Sequence, residues 1–558
     1  MINMAEHLQL GITPTTTIFA LLVALAIYLI IDKLIIKRKN HVDRLPLPPG
    51  PKPWPIIGNL PHLGSVPHSS LAEMARKYGP LMHLKLGSVH VVVAASASVA
   101  SQFLKTHDAN FAYRPPNAGA KYVAYNYRDL VFAPYSPRWR FLRKICYSHL
   151  FSPKALDNFH HIRQEEVAVL AEALARSSDG KVEVKLGDLL TVCVTNALGR
   201  VMLGFECLEK GVAVRSLSKW WWSRWHCLWE FHIGDFIPWL EWLDLQGLVA
   251  KLKKVHRRFD DFLNKIIEEH QSGCGTESHK DLLSMLIGLK RDGNGDGEGD
   301  SLDDIEIKAL LLDPGTDTSS STIEWALAEP IRHPHILARA QQELDSVVGR
   351  DRLVSDSDLS RLTYFQAIMK ETFRLHPSTP LSIPHMSRET CEVNGYSIPK
   401  GSTLLVNVWA IARDPSIWSD PLEFRPERFL PGGAQANVDV KGNDFELIPF
   451  GAGRRICAGM SLGIRMIQLV VATLVHGFDW ALPDSHSPEK LNMEETFGLT
   501  LQRAEPLMVR PRARRCPYQK AVKIKGSESP SPSENFQEHV KKKKTESRRG
   551  SEFVIPTT

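Results

Sequence analysis

The stretch Phe450-Gly-Ala-Gly-Arg-Arg-Ile-Cys-Ala-Gly459 sets one cysteine among residues whose types all suit a thiolate. It fits the pattern F-x-x-G-x-R-x-C-x-G. Glycines at 451, 453 and 459 allow backbone angles and close approaches that a side chain would block. Arg455, two residues before Cys457, can pair with an acidic cofactor group such as a haem propionate. Phe450 can cover the sulfur side and keep water away. After Cys457 the sequence AGMSLGIRMIQLVVATLVHGF has helical apolar periodicity, so the thiolate would sit near a helix N-terminus that favours its negative charge. A thiolate on haem iron pushes electron density towards oxygen and favours O–O cleavage. The bland reading, a glycine-rich turn with an idle buried cysteine, leaves the fixed positions without a common reason.

On these residues the chain resembles the cytochrome P-450 superfamily, which implies haem b held by Cys457, with Phe450, Gly453, Arg455 and Gly459 around it. Other stretches extend the resemblance. In Lys370-Glu-Thr-Phe-Arg-Leu-His-Pro377, Glu371 and Arg374 are three apart and share a helix face, so they can form an ion pair. Alone, that pattern is one many surface helices carry. Pro421-Leu-Glu-Phe-Arg-Pro-Glu-Arg-Phe429 matches the family's P-x-x-F-x-P-x-R-F, which implies that Arg428 joins Glu371 and Arg374 in a buried structural triad. Trp139-Arg-Phe-Leu-Arg143 matches W-x-x-x-R; Trp139 and Arg143 are implied to contact a haem propionate, with His385 a third contact. Pro314-Gly-Thr-Asp-Thr-Ser319 resembles the oxygen-activating segment of the family's long distal helix. There Gly315 is implied to open room for oxygen, and Asp317 and Thr318 to organise a water chain that delivers a proton. From those six residues alone, an ordinary helix N-cap is an equal reading.

These residues need a large scaffold, and 558 residues with 43% in the hydrophobic class supply one. The net charge of +6 is small for this length and gives no nucleic-acid footprint. The eight cysteines form neither a disulfide framework nor a zinc pattern, which places the folded part in reducing surroundings. Ile18 to Ile36 is long and apolar enough to cross ~30 Å of hydrocarbon as a helix, and Lys37-Arg38-Lys39 behind it should stay cytoplasmic. A cleaved signal fits poorly, since the basic cluster lies on the wrong side. Leu45 to Leu60 is rich in proline and reads as a stiff, extended neck. The expected layout is an anchor at 1–40, a hinge at 41–60, a haem-thiolate domain at 61–511 and a disordered basic tail at 512–558. The resemblance implies one mainly α-helical domain with small β-sheets. It also implies an endoplasmic reticulum anchor with the catalytic body in the cytosol.

The wording of the hinge and of PFGAGRRICAG is similar to plant microsomal members of the superfamily. VVVAAS at 91–96, YNYRDLVFAPYSPRWR at 125–140, NVDVKG at 437–442 and GLTLQRAEPL at 498–507 are similar to those members that hydroxylate the flavonoid B ring. The implied reaction is 3′-hydroxylation, consuming O2 and NADPH, with electrons from a membrane-bound NADPH–cytochrome P-450 reductase. Thr500 is the implied substrate contact that favours 3′ over 3′,5′ hydroxylation, although one methyl-sized change is worth only ~1–3 kcal/mol.

Three segments depart from the family: the distal helix, a tryptophan-rich stretch and the basic tail after about Arg510. IKALLLDPGTDTS is about three residues shorter than the family wording and carries Pro314 where a small residue is usual; Pro330 could interrupt the same helix again. Val214 to Phe231 is rich in tryptophan, which fits a membrane-contact patch or a local reading-frame disturbance. DGNGDGEGD at 292–300 reads as a flexible acidic loop. Two further readings stay open: a haem-binding but catalytically impaired paralogue, and a 3′,5′-hydroxylase. An oxygen-independent isomerase is disfavoured by the retained Gly315, Asp317 and Thr318.

Overall fold

A computed structural model describes residues 45–177, 182–205, 232–272, 281–292, 301–312, 315–483, 487–498 and 500–514, with Val23 and Ala26. Apart from those two residues, the expected anchor helix lies outside the described ones. So do the tryptophan-rich segment, nearly all of the acidic loop, Pro314 and all but the first residues of the tail.

Helices dominate, and their buried faces gather into two main cores. The first joins the helices His160–Arg176, Leu186–Leu203, Thr316–Arg332, Pro334–Val348, Thr363–Leu375 and Met460–Gly477. Thr363–Leu375 shows why: Tyr364, Phe365, Ile368, Met369, Thr372, Phe373 and Leu375 are buried along one broad face at helical spacing. Met460–Gly477 is apolar nearly all round, as a helix enclosed on every side must be. It and Leu186–Leu203 are long and apolar enough to cross a bilayer, yet each is more than 60% buried within the body, so both are core helices here. The second core joins Leu248–Gln271, whose Leu252, Val255, Phe259, Leu263, Ile266 and Ile267 point inward, to Asp304–Leu310 and the segment around 118–162.

Small sheets flank the helices, as expected. The largest has four strands in the order Leu81–Leu86, Val89–Ala94, Thr403–Val406, His385–Met386. Its first pair is an antiparallel hairpin and its second pair is parallel. The hinge differs from a free spacer, because the described part is docked on the body. The carbonyls of Pro46 and Pro49 accept from the amides of Ser397 and His83, each at 2.9 Å. Proline removes donors but leaves acceptors, so a proline-rich strip can still pair along one edge. The tail boundary also moves: Met508–Ala513 is a strand whose Arg512 and Ala513 pair with Asp479 and Phe478, two residues past 511.

The long distal helix is not continuous. Asp304–Leu310 ends in a turn at Leu311–Leu312, and a second helix begins at Thr316. Pro330 does not interrupt this second helix, which runs on to Arg332. Pro330 lies within its last turn, which accommodates the ring although it withholds one backbone N–H.

Candidate active site

The loop before Met460–Gly477 is closed by the Cys457 amide donating to the Phe450 carbonyl at 3.0 Å. Gly451 and Gly453 have φ of 71° and 68°, a region that penalises any side chain. A Cβ at Gly453 would also stand 2.4 Å from the Leu104 carbonyl oxygen. Gly459 is different, since a Cβ there would meet only the Phe151 ring, at 3.5 Å. Phe450 sits edge-on to Phe373 at 5.3 Å, which ties the loop to the glutamate helix Thr363–Leu375.

Cys457 has accessible surface, yet burial pushes its thiol up from the ordinary range; backbone N–H groups of Gly459 and Met460 and the nearby Arg143 guanidinium act in the opposite sense. Helix N-terminal amides and a cation are the groups that favour a thiolate.

Around this loop stands a cluster of guanidiniums. Arg455 donates Nε to the Ala112 carbonyl at 2.7 Å and Nη2 to the Ala133 carbonyl, while its buried Nη1 has no partner. Arg143 donates to the Ile456 carbonyl at 2.8 Å, bracing the residue before Cys457. Burial lowers the pKa of Arg455 to about 10, with Asp129 opposing and Arg143 adding to the effect. Arg114, which the sequence did not single out, joins them: burial and then Arg455 bring it down to about 9, with Asp129 opposing. It donates to the carbonyls of Val131, Ile383 and Pro384. Buried like charges with an unpaired N–H fit an anionic cofactor edge, and with the thiol they make a donor set suited to haem.

Two expected propionate contacts are also bonded within the chain. The Trp139 indole N–H, the ring's one donor, is spent on the Leu130 carbonyl at 2.9 Å. Its ring lies under Arg455 at 4.3 Å and Arg143 at 5.3 Å, so Trp139 orients the guanidiniums. His385 donates Nδ1–H to the Phe111 carbonyl at 2.8 Å. Burial, then Arg114, hold its pKa well below the usual histidine range, which leaves the neutral ring with Nε2 as an acceptor and no second donor.

The triad forms as expected. Arg374 grips Glu371 through Nε at 2.7 Å and Nη2 at 2.8 Å, and Arg428 Nε reaches the same carboxylate at 3.0 Å. The remaining guanidinium N–H groups go to the carbonyls of Ala412, Ser419, Asp420, Pro421 and Glu423. Glu371 and Arg374 are fully buried.

On the distal side Gly315 caps the helix, with Asp317 and Thr318 in its first turn. Thr318 Oγ1 donates back to the Gly315 carbonyl at 3.1 Å. The helix packs on Met460–Gly477 through Ile323, Ala326 and Leu327. Thr500 is buried and accepts from Gln502 at 3.3 Å. The next residue, Leu501, offers its carbonyl to Ser321 Oγ at 2.7 Å and Trp325 Nε1 at 3.4 Å, so the turn bearing Thr500 leans on the distal helix. A surface cleft lined by Tyr122, Trp242, Lys253 and Arg257 contains none of these residues.

Comparison with known proteins agrees with this geometry. Residues 48–509 match the family model described as Cytochrome P450. A Flavonoid 3′-monooxygenase of Petunia hybrida is 65% identical, covering 84% of this chain and 93% of that protein. A Flavonoid 3′-monooxygenase of Arabidopsis thaliana is 58% identical over 90% of this chain and 98% of its own length. Among solved structures, a zebra fish cytochrome P450 with progesterone superposes with a TM-score of 0.68 at 27% identity, covering 80% of this chain and 99% of that one.

Proposed function

This chain belongs to the cytochrome P450 family, and we propose that it is a haem-thiolate monooxygenase that hydroxylates the 3′ position of the flavonoid B ring. One oxygen atom of O2 enters the ring carbon–hydrogen bond and the other leaves as water. The two electrons come from NADPH through a membrane-bound reductase, with the anchor in the endoplasmic reticulum membrane. The observation that carries the reaction class is the Cys457 thiol, flanked by the backbone N–H groups of Gly459 and Met460 and by Arg143. The choice of a flavonoid is supported by the likeness to the two 3′-monooxygenases.

Haem, when held by Cys457, supplies the redox chemistry that cleaves dioxygen, and the thiolate promotes it by pushing electron density. The chain's own residues do the rest. Gly459 and Met460 amides favour the anionic sulfur, opposing the desolvation that pushes the thiol up. Phe450, held edge-on by Phe373, braces the loop that carries it. Arg455, Arg143 and Arg114 hold the carboxylate edge of the cofactor. Asp317 and Thr318 hold the water through which a proton arrives at the distal face. Thr500 borders the substrate's ring.

The test is to express the chain in microsomes with reductase and NADPH, record the reduced carbon-monoxide spectrum and feed naringenin. A thiolate-type Soret band with 3′-hydroxylated product supports the proposal; no such band refutes it. A second reading, a haem-binding chain with impaired turnover, is favoured by one observation. The distal helix is broken before Gly315, and Thr318's hydroxyl is engaged with the Gly315 carbonyl. The band without product is its signature.

A further inference from the structure

Behind the turn that carries Thr500 lies a buried polar network that none of the proposed chemistry uses. Its centre is Glu495, in the strand Glu495–Thr496 that pairs with Gln502–Arg503 to form the base of that hairpin. Glu495 Oε2 is 3.0 Å from His68 Nε2, and the Trp409 indole N–H points at both carboxylate oxygens, 3.1 and 3.3 Å away. Arg413 Nη2 stands 3.5 Å from Oε1. His68 is fully buried, and burial, which alone would raise the Glu495 pKa, is outweighed by the hydrogen bond from His68 and by Arg413, so the carboxyl stays ionised. These partners come from two distant parts of the chain: the helix Pro67–Tyr78, and the short helix Val408–Ile411 with the residues just after it.

The hairpin is pinned a second time at its tip. The Leu501 carbonyl accepts from Ser321 and Trp325 of the distal helix, and the Leu501 amide donates to the Ser378 carbonyl at 2.8 Å. The two pins are joined. Trp325 stacks on His376 with ring centroids 4.0 Å apart and planes 5° from parallel, and Arg503 lies over the other part of the indole at 5.2 Å. His376 Nε2 is 2.7 Å from Glu329 Oε1, while its Nδ1 lies 3.9 Å from Glu495. The distal helix and the base of the hairpin therefore share one aromatic and ionic junction.

We propose that Glu495 is a positioning residue for regiochemistry: by clamping the base of the 495–503 hairpin to His68, Trp409 and Arg413, it fixes the Thr500 turn against the distal helix and so sets which ring carbon faces the reacting centre. The inference rests on the flavonoid 3′-hydroxylase reading. A rigid wall is needed there because a displacement of about one ångström changes reaction rates by up to ~100-fold.

The experiment compares the full chain with E495A and E495Q in microsomes with reductase and NADPH. Product ratios are measured per haem from the thiolate band, and amide hydrogen exchange is measured on the purified chain. In E495A the band remains, the share of 3′-hydroxylated product falls about tenfold and KM rises more than kcat falls. Exchange speeds up at Leu501 and Ala504, whose amides bond to Ser378 and Glu494. E495Q keeps the shape and an acceptor for Trp409 and recovers most of the wild-type ratio. A purely structural loss would lower the band and leave the ratio per haem alone. A wild-type ratio per haem in E495A overturns the proposal, as does unchanged exchange at both amides. If E495A yields no band, Trp409→Phe, which removes one donor to the carboxylate, takes its place with the same direction expected and the same refutation. Should the wild-type chain show the band but make no 3′ product, the substrate reading fails, while exchange at the two amides in E495A still decides the clamp.

Discussion

Replacing Glu371 by alanine removes the anion that two buried guanidiniums share. In the folded chain Glu371 accepts from Arg374 twice, from Arg428 Nε, and from the Arg425 amide at 2.8 Å. Arg374 is fully buried and Arg428 is 5% exposed, so neither charge can turn to solvent. Breaking a buried pair by deleting one partner costs about 3–5 kcal/mol, because the other charge stays desolvated. A loss of about 4 kcal/mol is roughly a thousandfold in the folding equilibrium, against a total stability of about 5–15 kcal/mol.

Arg428→Met is the informative companion. It leaves Glu371 with both Arg374 bonds and the Arg425 amide, and gives up Arg428's bonds to backbone carbonyls, for about 1–3 kcal/mol. The two variants are therefore expected to fall in a fixed order. The assay is the urea midpoint of the thiolate-type band, with the yield of haem-loaded chain as a second readout. Wild-type midpoint in Glu371→Ala, or a larger loss in Arg428→Met than in Glu371→Ala, would refute the shared-anion account.

Other outcomes follow from the same structure. Cys457→Ser should abolish the thiolate-type band and turnover while far-ultraviolet circular dichroism stays native; a retained band would remove Cys457 as the ligand. Arg455→Leu deletes the unpartnered buried Nη1 and should speed haem transfer to an apo-globin acceptor by about tenfold, taking about 1.5 kcal/mol for a charge-assisted bond; an unchanged rate speaks against a carboxylate partner. Burial raises the Glu329 pKa, but hydrogen bonds from His333 and His376 outweigh it and hold the group at about 2, below the unperturbed 4.5. A depressed carboxyl stabilises the fold above its unfolded pKa and loses that effect as pH falls through its folded pKa, here between about 4.5 and 2. Glu329→Gln should thus cost on the order of 3 kcal/mol at neutral pH and converge with wild type near pH 2 in acid-unfolding curves; a constant gap across that window would be inconsistent. Restoring three residues before Gly315 with Pro314→Ala should raise the share of NADPH that ends in product, and unchanged coupling would clear the junction of blame.

What could be read in the sequence was what is local. The cysteine loop was legible because Gly451, Gly453, Arg455 and Cys457 each answer a demand made within a few residues. The Glu371–Arg374 pair was legible as helix spacing, and Arg428 only through the family wording around it. Arg114 was not, since its place beside Arg455 is created by tertiary packing of segments far apart in sequence. Trp139 and His385 were found in the right neighbourhood, but their hydrogen-bond partners, Leu130 and Phe111, leave no mark in either motif. The Glu495 junction unites segments from residue 68 to residue 503, and no spacing rule could have joined them.

The broken distal helix can be taken one step further. Removing three residues from a continuous helix would turn one half by roughly 300° and draw it in by ~4.5 Å. Here neither half is free to follow. Asp304–Leu310 is fixed by its own capping box between Asp303 and Glu306, by Arg138 on Glu306, and by Lys308 on Asp260 at 2.7 Å. Its Ile307, Leu310, Leu311 and Leu312 belong to the second core, whereas Ile323, Ala326 and Leu327 of Thr316–Arg332 belong to the first. Rotating either half would expose or clash an apolar face worth several kcal/mol. The two halves are therefore held in separate cores on either side of Leu312 and Thr316, immediately before Asp317 and Thr318. The Cys457 loop packs through Phe450 against Phe373 of the helix Thr363–Leu375. We infer that the segment joining the two halves bears on proton delivery and coupling, the roles proposed for Asp317 and Thr318, rather than on haem ligation.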